Sequence, residues 1–332
     1  MHVFVTGASG FVGGAAVKRL VADGHKVSAM SRSEKSDAKI RALGAEPARC
    51  DLDTIKPDHV QGVDVAIHSA AFVAAWGPKD AWFKANVLGT QAVLDACGAA
   101  GVKRFIHIGT EAVIHKGQHI RNADETYPLA PDSPYAYCAT KAQAEQRVCD
   151  ANRPGVFETI VLRPRLIWGP GDTTLLPAVE AIAASGKWRW IDHGKAMTST
   201  IHIDNLVHAI CLALTKGRPG EAYFIIDDGT ISIKDMITGM AASRQLILAD
   251  SSIPAWLADM VAAVGETVWR MFGLQGRPPL MRLAAMVMSR DCTLNGAKAR
   301  AELGYHPVIT VKDGLAALVQ TAEGAPARGS GD

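Results

Sequence analysis

The 332-residue sequence predicts an α/β fold in which helices cover both faces of a doubly wound parallel sheet, followed by a smaller, mostly helical C-terminal lobe. Two observations support this. Short β-branched runs alternate with longer helical patterns through the N-terminal half, and strand patterns become few after the turn at residues 169–172. Parallel strands are expected because each helix returns the chain to the same edge of the sheet.

The predicted elements follow in order along the chain. Residues 3–6 form a strand, 11–22 a helix that ends at Asp23-Gly24, and 27–31 a second strand before a helix that Ser33 opens. Further strands are predicted at 46–50, 63–68, 104–108 and 158–162, with long helices at 79–100 and 133–152. Residues 201–203, followed by a helix at 204–214, indicate a return of the chain to the sheet.

The composition is that of a globular protein, with 48% hydrophobic and 20% charged residues. A net charge of +2 without a basic cluster predicts no nucleic-acid partner. The six cysteines show no Cys-x-x-Cys pair, and no 18-residue apolar run occurs, so we expect a cytoplasmic protein with reduced thiols and no transmembrane segment. Residues 325–332 are predicted to be disordered.

Three glycines lie between the first strand and the first helix, at Gly7, Gly10 and Gly13. This spacing is typical of a Rossmann turn, in which backbone N–H groups and the helix N-terminus bind a pyrophosphate. The expected cofactor contacts lie in this turn and after the third and fourth strands: Ser9, Phe11, Val12, Asp51, Leu52, Ala70 and Ala71. We expect residues 1–168, with 200–217, to form the dinucleotide-binding domain, and 169–199 with 218–324 the substrate lobe.

The end of the second strand predicts which cofactor is used. An acid there would accept a hydrogen bond from the ribose 2′-hydroxyl, but this sequence has Arg32. A guanidinium suits a phosphate monoester, so NADP(H) is favoured and NAD(H) is the alternative. A solvated surface arginine is the competing interpretation.

Tyr137 and Lys141 lie four residues apart at the start of a predicted helix, so both project from one face. A nearby ammonium stabilises a phenolate, and we expect it to lower the phenol pKa by about two to three units with help from the cofactor's charge. Thr110 follows a predicted strand that ends near the same edge, where it would hydrogen-bond the substrate oxygen.

Together with Asn86-Val87, Leu162-Arg163-Pro164, residues 169–172 and 202–205, these motifs resemble the extended short-chain dehydrogenase/reductases of the epimerase/dehydratase superfamily, and most of all its 3β-hydroxysteroid dehydrogenase branch. The resemblance implies that Thr110, Tyr137 and Lys141 form a catalytic triad, that Asn86 supports the cofactor side, and that helices 79–100 and 133–152 form a homodimer. Arg163 is either structural or faces the cleft, and we count it among the cofactor-binding residues. The sequence departs from the family where Ile108-Gly109 precedes Thr110 and Glu111 follows it.

Residues 253–288 contain more large apolar side chains than one helical stripe needs. Some should line an apolar cleft, or form a surface that makes weak contact with a membrane. We therefore expect reversible oxidation of a secondary alcohol to a ketone on a bulky steroid-like or β-keto acyl substrate. A nucleotide-sugar epimerase or dehydratase with tightly bound NAD is the alternative, and an NADP(H)-sensing binding protein a third. His115 and His119 are interpreted as surface-loop residues, and no metal site is expected.

Overall fold

The computed structural model describes residues 1–323, and a seven-stranded parallel sheet lies at its centre. The strands of the chain are β1 (His2–Thr6), β2 (Lys26–Ser31), β3 (Glu46–Arg49), β4 (Val65–His68), β5 (Arg104–Ile108), β6 (Ile120–Ala123), β7 (Glu158–Pro164), β8 (Ile167–Trp168), β9 (Trp190–Ile191), β10 (Met197–Thr198), β11 (Ile201–His202), β12 (Ala222–Ile225), β13 (Ile231–Ser232), β14 (Ser252–Ile253) and β15 (Cys292–Leu294). The order in the large sheet is β12-β7-β5-β4-β1-β2-β3, which confirms the predicted fold class.

Helices cover both faces of this sheet. They are α1 (Phe11–Ala22), α2 (Glu34–Ala42), α3 (Lys79–Trp82), α4 (Gly89–Ala99), α5 (Ala136–Asp150), α6 (Leu175–Ala184), α7 (Ile203–Ala213), α8 (Ile233–Ala242), α9 (Ala255–Met271), α10 (Arg282–Ser289), α11 (Ala297–Leu303) and α12 (Val311–Glu323). A π-helical segment, Phe83–Leu88, joins α3 to α4 with helical backbone at both junctions, so the helix predicted at 79–100 runs from Lys79 to Ala99 with this segment inside it. Helices α1 and α7 share one apolar core with the sheet, and α4 and α5 share another.

The direction of the chain through the sheet reverses between β1 and β4. From β1 the chain moves outward to β2 and β3, and it then returns to β4 and moves the other way. The loops after β1 and β4 therefore diverge and leave a crevice at the carboxyl edge of the strands. Every site residue predicted from the sequence lies on an element that ends at or borders this edge.

Two predictions about the C-terminal half need correction. The strand at residues 201–202 pairs with β8 in a separate two-stranded sheet and not with the large sheet, although helix α7 after it packs on the large sheet. The seventh strand of the large sheet is instead β12, which lies in the segment assigned to the substrate lobe. Its four residues are all buried against β7, and a fully buried strand does not show the alternating pattern that would reveal it in the sequence.

The lobe also contains more strand than expected. A four-stranded sheet in the order β13-β10-β15-β6 combines segments from the lobe with Ile120–Ala123 from the N-terminal half. The six cysteines all lie in the described residues and are free thiols. Among residues 1–323, no helix is both long and apolar enough to cross a bilayer. The tail predicted to be disordered, 325–332, lies outside the described residues.

Candidate active site

A cleft of about 870 Å³ opens at the carboxyl edge of the sheet, between the turn after β1 and the C-terminal lobe. Of the residues predicted to bind cofactor or substrate, the structure brings these together on its walls: Gly7, Ser9, Gly10, Phe11, Val12, Arg32, Asp51, Leu52, Ala70, Ala71, Thr110, Tyr137 and Lys141. Gly13, Asn86 and Arg163 lie behind the walls. The volume is in the range of small-molecule and cofactor sites.

The glycine turn fits a dinucleotide because side chains are excluded from it. Gly7 has φ of +72°, and a Cβ there would lie 2.9 Å from the Ala70 nitrogen. A Cβ on Gly13 would lie 2.4 Å from the Gly7 carbonyl oxygen, so Gly13 is needed for helix packing, as predicted. Helix α1 begins at Phe11 without a side-chain cap and without an acid in its first turn. Its positive end therefore faces the cleft, as a pyrophosphate requires.

The far end of the cleft carries Arg32, whose side chain is exposed beside the Asp51 loop. The following helix begins with Glu34, which is exposed, and its Asp37 is buried and is bound by Arg49 and the Ser31 hydroxyl. The Asp37 carboxylate is thus already occupied. Lys84 at this end of the cleft is paired with Asp53, whereas Arg32 has no salt-bridge partner among the described residues. Hydrogen bonds from Thr54, and the charge of Arg32 to a lesser degree, lower the pKa of Asp51.

Asn86 shapes the cleft without lining it. Its amide oxygen accepts from the Phe72 N–H at 2.8 Å, and its amide nitrogen donates to the Thr140 hydroxyl at 3.2 Å. Asn86 therefore ties the loop after β4, which carries Ala70 and Ala71, to helix α5 one residue before Lys141. This is the supporting position that the family resemblance implied.

The three triad residues reach the cleft from two elements. Thr110 follows β5, and Tyr137 and Lys141 lie in the first turns of α5. The hydroxyls of Tyr137 and Thr110 are neighbours on the cleft wall. The Lys141 ammonium donates to the Ile108 carbonyl oxygen at 3.1 Å and contacts His107 Nε2 at 3.3 Å. Position and chemistry together identify these residues as a candidate proton-transfer group.

Burial lowers the pKa of Lys141 to about 8, against the opposing charge of Glu145 one helical turn later. The adjacent His107 is buried, and its pKa falls well below the ordinary value for the same reason, so it is neutral beside the ammonium. With its Nε2 accepting from Lys141, the His107 proton resides on Nδ1. His107 was missed in the sequence because a histidine inside a strand has no motif.

The expected lowering of the Tyr137 pKa by Lys141 is wrong for this arrangement of residues. Burial raises the pKa of Tyr137 above its ordinary value, and the Glu111 carboxylate raises it further. Glu111 accepts from the Thr110 hydroxyl at 2.8 Å and is bound on its other side by the buried guanidinium of Arg165. The phenol is therefore held protonated at neutral pH, as a proton donor requires.

Arg163, counted as a cofactor contact, points away from the cleft. Its guanidinium binds the buried Glu145, with 2.9 Å from Nε to the carboxylate oxygen, and lies over the Phe224 ring. Alternate residues of a strand face opposite sides of a sheet, and Arg163 shares the face that packs against α5. Its role is therefore structural, and it corrects the assignment made from the sequence.

The prediction that His115 is a surface-loop residue is wrong, because its side chain is buried, whereas the side chain of His119 is about half exposed as expected. The His115 ring lies beside Glu111 and Cys292, with all three ligand atoms within 4.8 Å of one another, whereas His119 accepts from the Asp291 N–H instead. Burial raises the pKa of the Cys292 thiol to about 12 and lowers that of His115 to about 4. Arg165 already compensates the Glu111 charge, so this cluster consists of a neutral thiol, a neutral ring whose Nδ1 has no hydrogen-bond partner among residues 1–323, and an ion pair.

The lobe wall of the cleft is apolar. Helix α10 contributes Leu283, Met286 and Val287, while α9 packs on the outer side of α10. The excess of apolar residues at 253–288 therefore divides between two helices. Those of α10 line the cleft, and several of those on α9 face outward.

Comparison with known proteins gives a consistent assignment. Residues 4–249 match the model of the 3-beta hydroxysteroid dehydrogenase/isomerase family. A 4-hydroxy-2-methyl-3-oxo-4-farnesyl-3,4-dihydroquinoline-1-oxide ketoreductase from Stigmatella aurantiaca is 41% identical over 324 residues, which are 96% of each chain. A 2-alkyl-3-oxoalkanoate reductase from Stenotrophomonas maltophilia is 36% identical over 96% of this chain and 98% of its own.

Solved structures also share the fold. A UDP-glucuronic acid 4-epimerase from Bacillus cereus in complex with NAD superposes with a TM-score of 0.74 over 97% of this chain and 99% of its own, at 20% identity. At that identity the likeness shows the architecture alone.

Proposed function

This chain belongs to the 3-beta hydroxysteroid dehydrogenase/isomerase family, as its motifs predicted, and is a dehydrogenase/reductase of the extended short-chain type. We propose that it reduces a ketone on a bulky apolar substrate with NADPH. The proposed reaction is the addition of hydride to the carbonyl carbon and of a proton to the carbonyl oxygen, which yields a secondary alcohol.

The observation that carries this proposal is the position of the Tyr137 phenol in one cleft with the glycine turn and the apolar wall of α10. A ketone acquires negative charge on oxygen as it is reduced, so a proton donor at that oxygen stabilises the transition state. The reduced nicotinamide, when bound, supplies the hydride. The wall formed by Leu283, Met286 and Val287 favours a hydrocarbon skeleton over a charged substrate.

Each triad residue has a separate proposed role. Tyr137 donates the proton to the carbonyl oxygen, and Thr110 hydrogen-bonds the same oxygen. The Lys141 ammonium holds the ribose hydroxyls of the nucleotide and carries positive charge beside the phenol. Gly10 and the backbone of α1 bind the pyrophosphate, and Asp51 with Leu52 borders the adenosine.

NADP(H) is the proposed cofactor because Arg32 is the charged side chain that borders the adenosine end of the cleft after β2, and the neighbouring Asp37 is bound by Arg49. A free guanidinium attracts a 2′-phosphate, whereas the occupied carboxylate is not available to a 2′-hydroxyl.

The proposed substrate is a ketone whose neighbouring carbon carries a long alkyl or prenyl chain. Both relatives described above have such a group in their names, since one acts on a 2-alkyl-3-oxoalkanoate and the other on a 3-oxo-4-farnesyl ring. In this chain the apolar wall of α10 lines the cleft where that hydrocarbon would lie.

The test is NADPH oxidation with 2-alkyl-3-oxoalkanoates of increasing alkyl length, compared with sterol ketones and UDP-sugars. We expect kcat/KM to rise with alkyl length, and mass spectrometry to detect the 3-hydroxy product. Epimerisation of UDP-sugars is redox-neutral and consumes no NADPH, so it is followed by chromatography of the sugar products. Epimerisation without ketone reduction would replace this proposal with the epimerase reaction.

The epimerase alternative has the shared architecture in its favour. A nucleotide-sugar diphosphate needs basic residues on the lobe side of the cleft. Among the described residues, the lobe side is lined by Leu166, Ile167, Thr173, Thr174, Leu283, Met286 and Val287, and it presents no Lys or Arg. The ketoreductase is therefore the better-supported function.

The domain division, the homodimer and the cytoplasmic location stay predictions. The dimer would form through the helical segments at 79–100 and 133–152, where Phe83 and Leu88 expose apolar side chains. Light scattering at micromolar concentration should give twice the 35.2 kDa chain mass.

A further inference from the structure

Helix α9 buries small side chains and exposes several large apolar ones, which is the opposite of what is expected for a helix in water. Its buried face consists of small residues, among them Ala258 and Ala262, which are fully buried against α10. Its outer face carries Trp256 at 67% exposure, Val264 at 58% and Met271 at 69%. A surface helix normally buries its large apolar side chains and exposes polar ones.

The outer residues form a mostly apolar stripe. Trp256, Met260, Val264 and Met271 follow helical spacing along a single face, with exposed Thr267 between the last two, and exposed Phe272 and Leu274 extend it beyond the helix end. Single exposed apolar residues need no explanation, but a stripe of this length marks a surface that contacts something apolar.

The charges around the stripe favour an anionic partner. Between residues 255 and 290 the sequence has four arginines and two acids. Asp259 is bound by Arg290, and Glu266 accepts from the Arg282 N–H. Among the described residues, Arg270, Arg277 and Arg282 have no salt-bridge partner, although Arg270 lies over the Trp76 ring and Arg282 over the Tyr135 ring. The segment around the stripe therefore has a net positive charge.

Helix α9 also adjoins both sides of the cleft entrance. It packs on α10, whose Met286 lines the cleft, and its Arg270 stacks on the Trp76 ring at 4.3 Å, in the loop that continues from cleft-lining Phe72 and Val73. An apolar substrate dissolved in a lipid layer beneath α9 would therefore have a short path into the cleft.

We propose that the outer face of α9, with Phe272 and Leu274, binds flat on the surface of an anionic lipid bilayer, with its arginines at the headgroups. The apolar stripe would enter the boundary between headgroups and acyl chains, and the arginines would attract anionic lipid. A surface-bound helix of this kind needs no membrane span. The proposed binding of α9 to a bilayer does not depend on the proposed reaction. If both are correct, the binding would bring an apolar substrate to the cleft.

The experiment is co-sedimentation of the full chain with vesicles of equal parts phosphatidylglycerol and phosphatidylcholine, without substrate or cofactor. We expect wild-type protein to bind these vesicles and to bind pure phosphatidylcholine several-fold less. A variant with Trp256→Ser, Val264→Ser and Met271→Ser should lose at least about tenfold in partition coefficient, because three apolar side chains no longer leave water. Its thermal unfolding should be unchanged, since these side chains are exposed.

Val156→Ser is the matched control, because Val156 is 57% exposed but precedes β7 at the opposite edge of the sheet. It should bind vesicles like wild type. The proposal is overturned if wild-type protein ignores both vesicles or if the triple variant binds as well as wild type. It is also overturned if the triple variant lowers the mass in light scattering, because a second copy would then cover the stripe. Since no turnover is measured, failure here leaves the ketoreductase proposal standing.

Discussion

Two buried carboxylates stand beside the two titrating groups of the candidate active site, and each is bound by an arginine. Glu111 lies next to Tyr137 and is held by Arg165, whereas Glu145 lies one helical turn beyond Lys141 and is held by Arg163. Both raise the pKa of their neighbour. The difference lies in what burial does to each neighbour.

For the phenol of Tyr137, burial and Glu111 act in the same direction, because both disfavour the phenolate. For Lys141 they oppose each other, because burial disfavours the ammonium while Glu145 favours it, and the result is a pKa of about 8. Burial and a neighbouring carboxylate therefore keep Tyr137 protonated, whereas the same two effects leave Lys141 with a pKa in the slightly basic range. Lys141, and not Tyr137, is the group that senses pH here.

The largest effect should come from removing the acid itself. Tyr137→Phe keeps the ring but removes the proton donor, so kcat for ketone reduction should fall by at least about 10², with NADPH binding retained. Stopped-flow rates and fluorescence titration of NADPH would measure the two quantities.

Tyr135→Phe is the control for that variant. Tyr135 lies two residues earlier and does not line the cleft, so its loss should leave kcat within a factor of about two of wild type. A Tyr137→Phe enzyme with wild-type turnover would remove the phenol from the reaction.

The buried ion pair between Arg163 and Glu145 should contribute most to stability. Arg163→Met leaves the Glu145 carboxylate buried without its cation, which should lower the free energy of unfolding by about 3–5 kcal/mol. Chemical denaturation of this variant and of the double variant Arg163→Met/Glu145→Leu would measure the loss. The double variant should regain most of it, because no unpaired charge is then buried. Equal destabilisation of both variants would mean that packing of Arg163 on Phe224, rather than charge, is responsible.

The preference for NADPH over NADH should depend on Arg32 and not on Glu111 or Glu145. Arg32→Asp removes the phosphate partner and adds a repelling charge, so the ratio of kcat/KM for NADPH over NADH should fall by about tenfold or more. The pH profile should not change. Arg41→Asp, an exposed residue of α2 away from the cleft, is the control. A wild-type enzyme that already prefers NADH would contradict the role given to Arg32.

The large sheet could be predicted because local pattern and long-range structure agree there. Strand β5 occupies the predicted residues, and the glycine turn has the geometry that its spacing implied. β12 and the small four-stranded sheet could not be predicted. Their strands have two to four residues, and their pairing partners, such as β6 and β15, are far apart in the sequence.

The site residues that belong to sequence motifs could be predicted, and the others could not. Tyr137, Lys141 and Thr110 belong to a recognisable spacing, whereas the two buried ion pairs depend on which face of β7 and which loop each arginine reaches. Arg163 and Arg165 are two residues apart and look alike in the sequence, yet one packs behind α5 and the other beside the triad. Burial and charge environment, which set the pKa of Tyr137 and Lys141, are properties of the tertiary structure.

The smallest and most discriminating effect is the pH dependence. As pH rises through about 8, Lys141 loses its proton and its positive charge, so kcat/KM for reduction should be level below about pH 7.5 and decline above about pH 8. Tyr137 stays protonated over this range, since its pKa is raised above the ordinary value. Initial rates between pH 6 and about 9.5 would give the profile.

Two variants then assign the decline to one group. Arg163→Met/Glu145→Gln removes the charge that opposes burial of Lys141, so the decline should move to lower pH. Glu111→Gln removes a charge that acts on Tyr137, and its one amide oxygen can still accept from Arg165, so the decline should stay in place. If the decline instead followed Glu111→Gln and ignored Glu145, the phenol would be the titrating group, and the roles given to the two carboxylates would have to be exchanged.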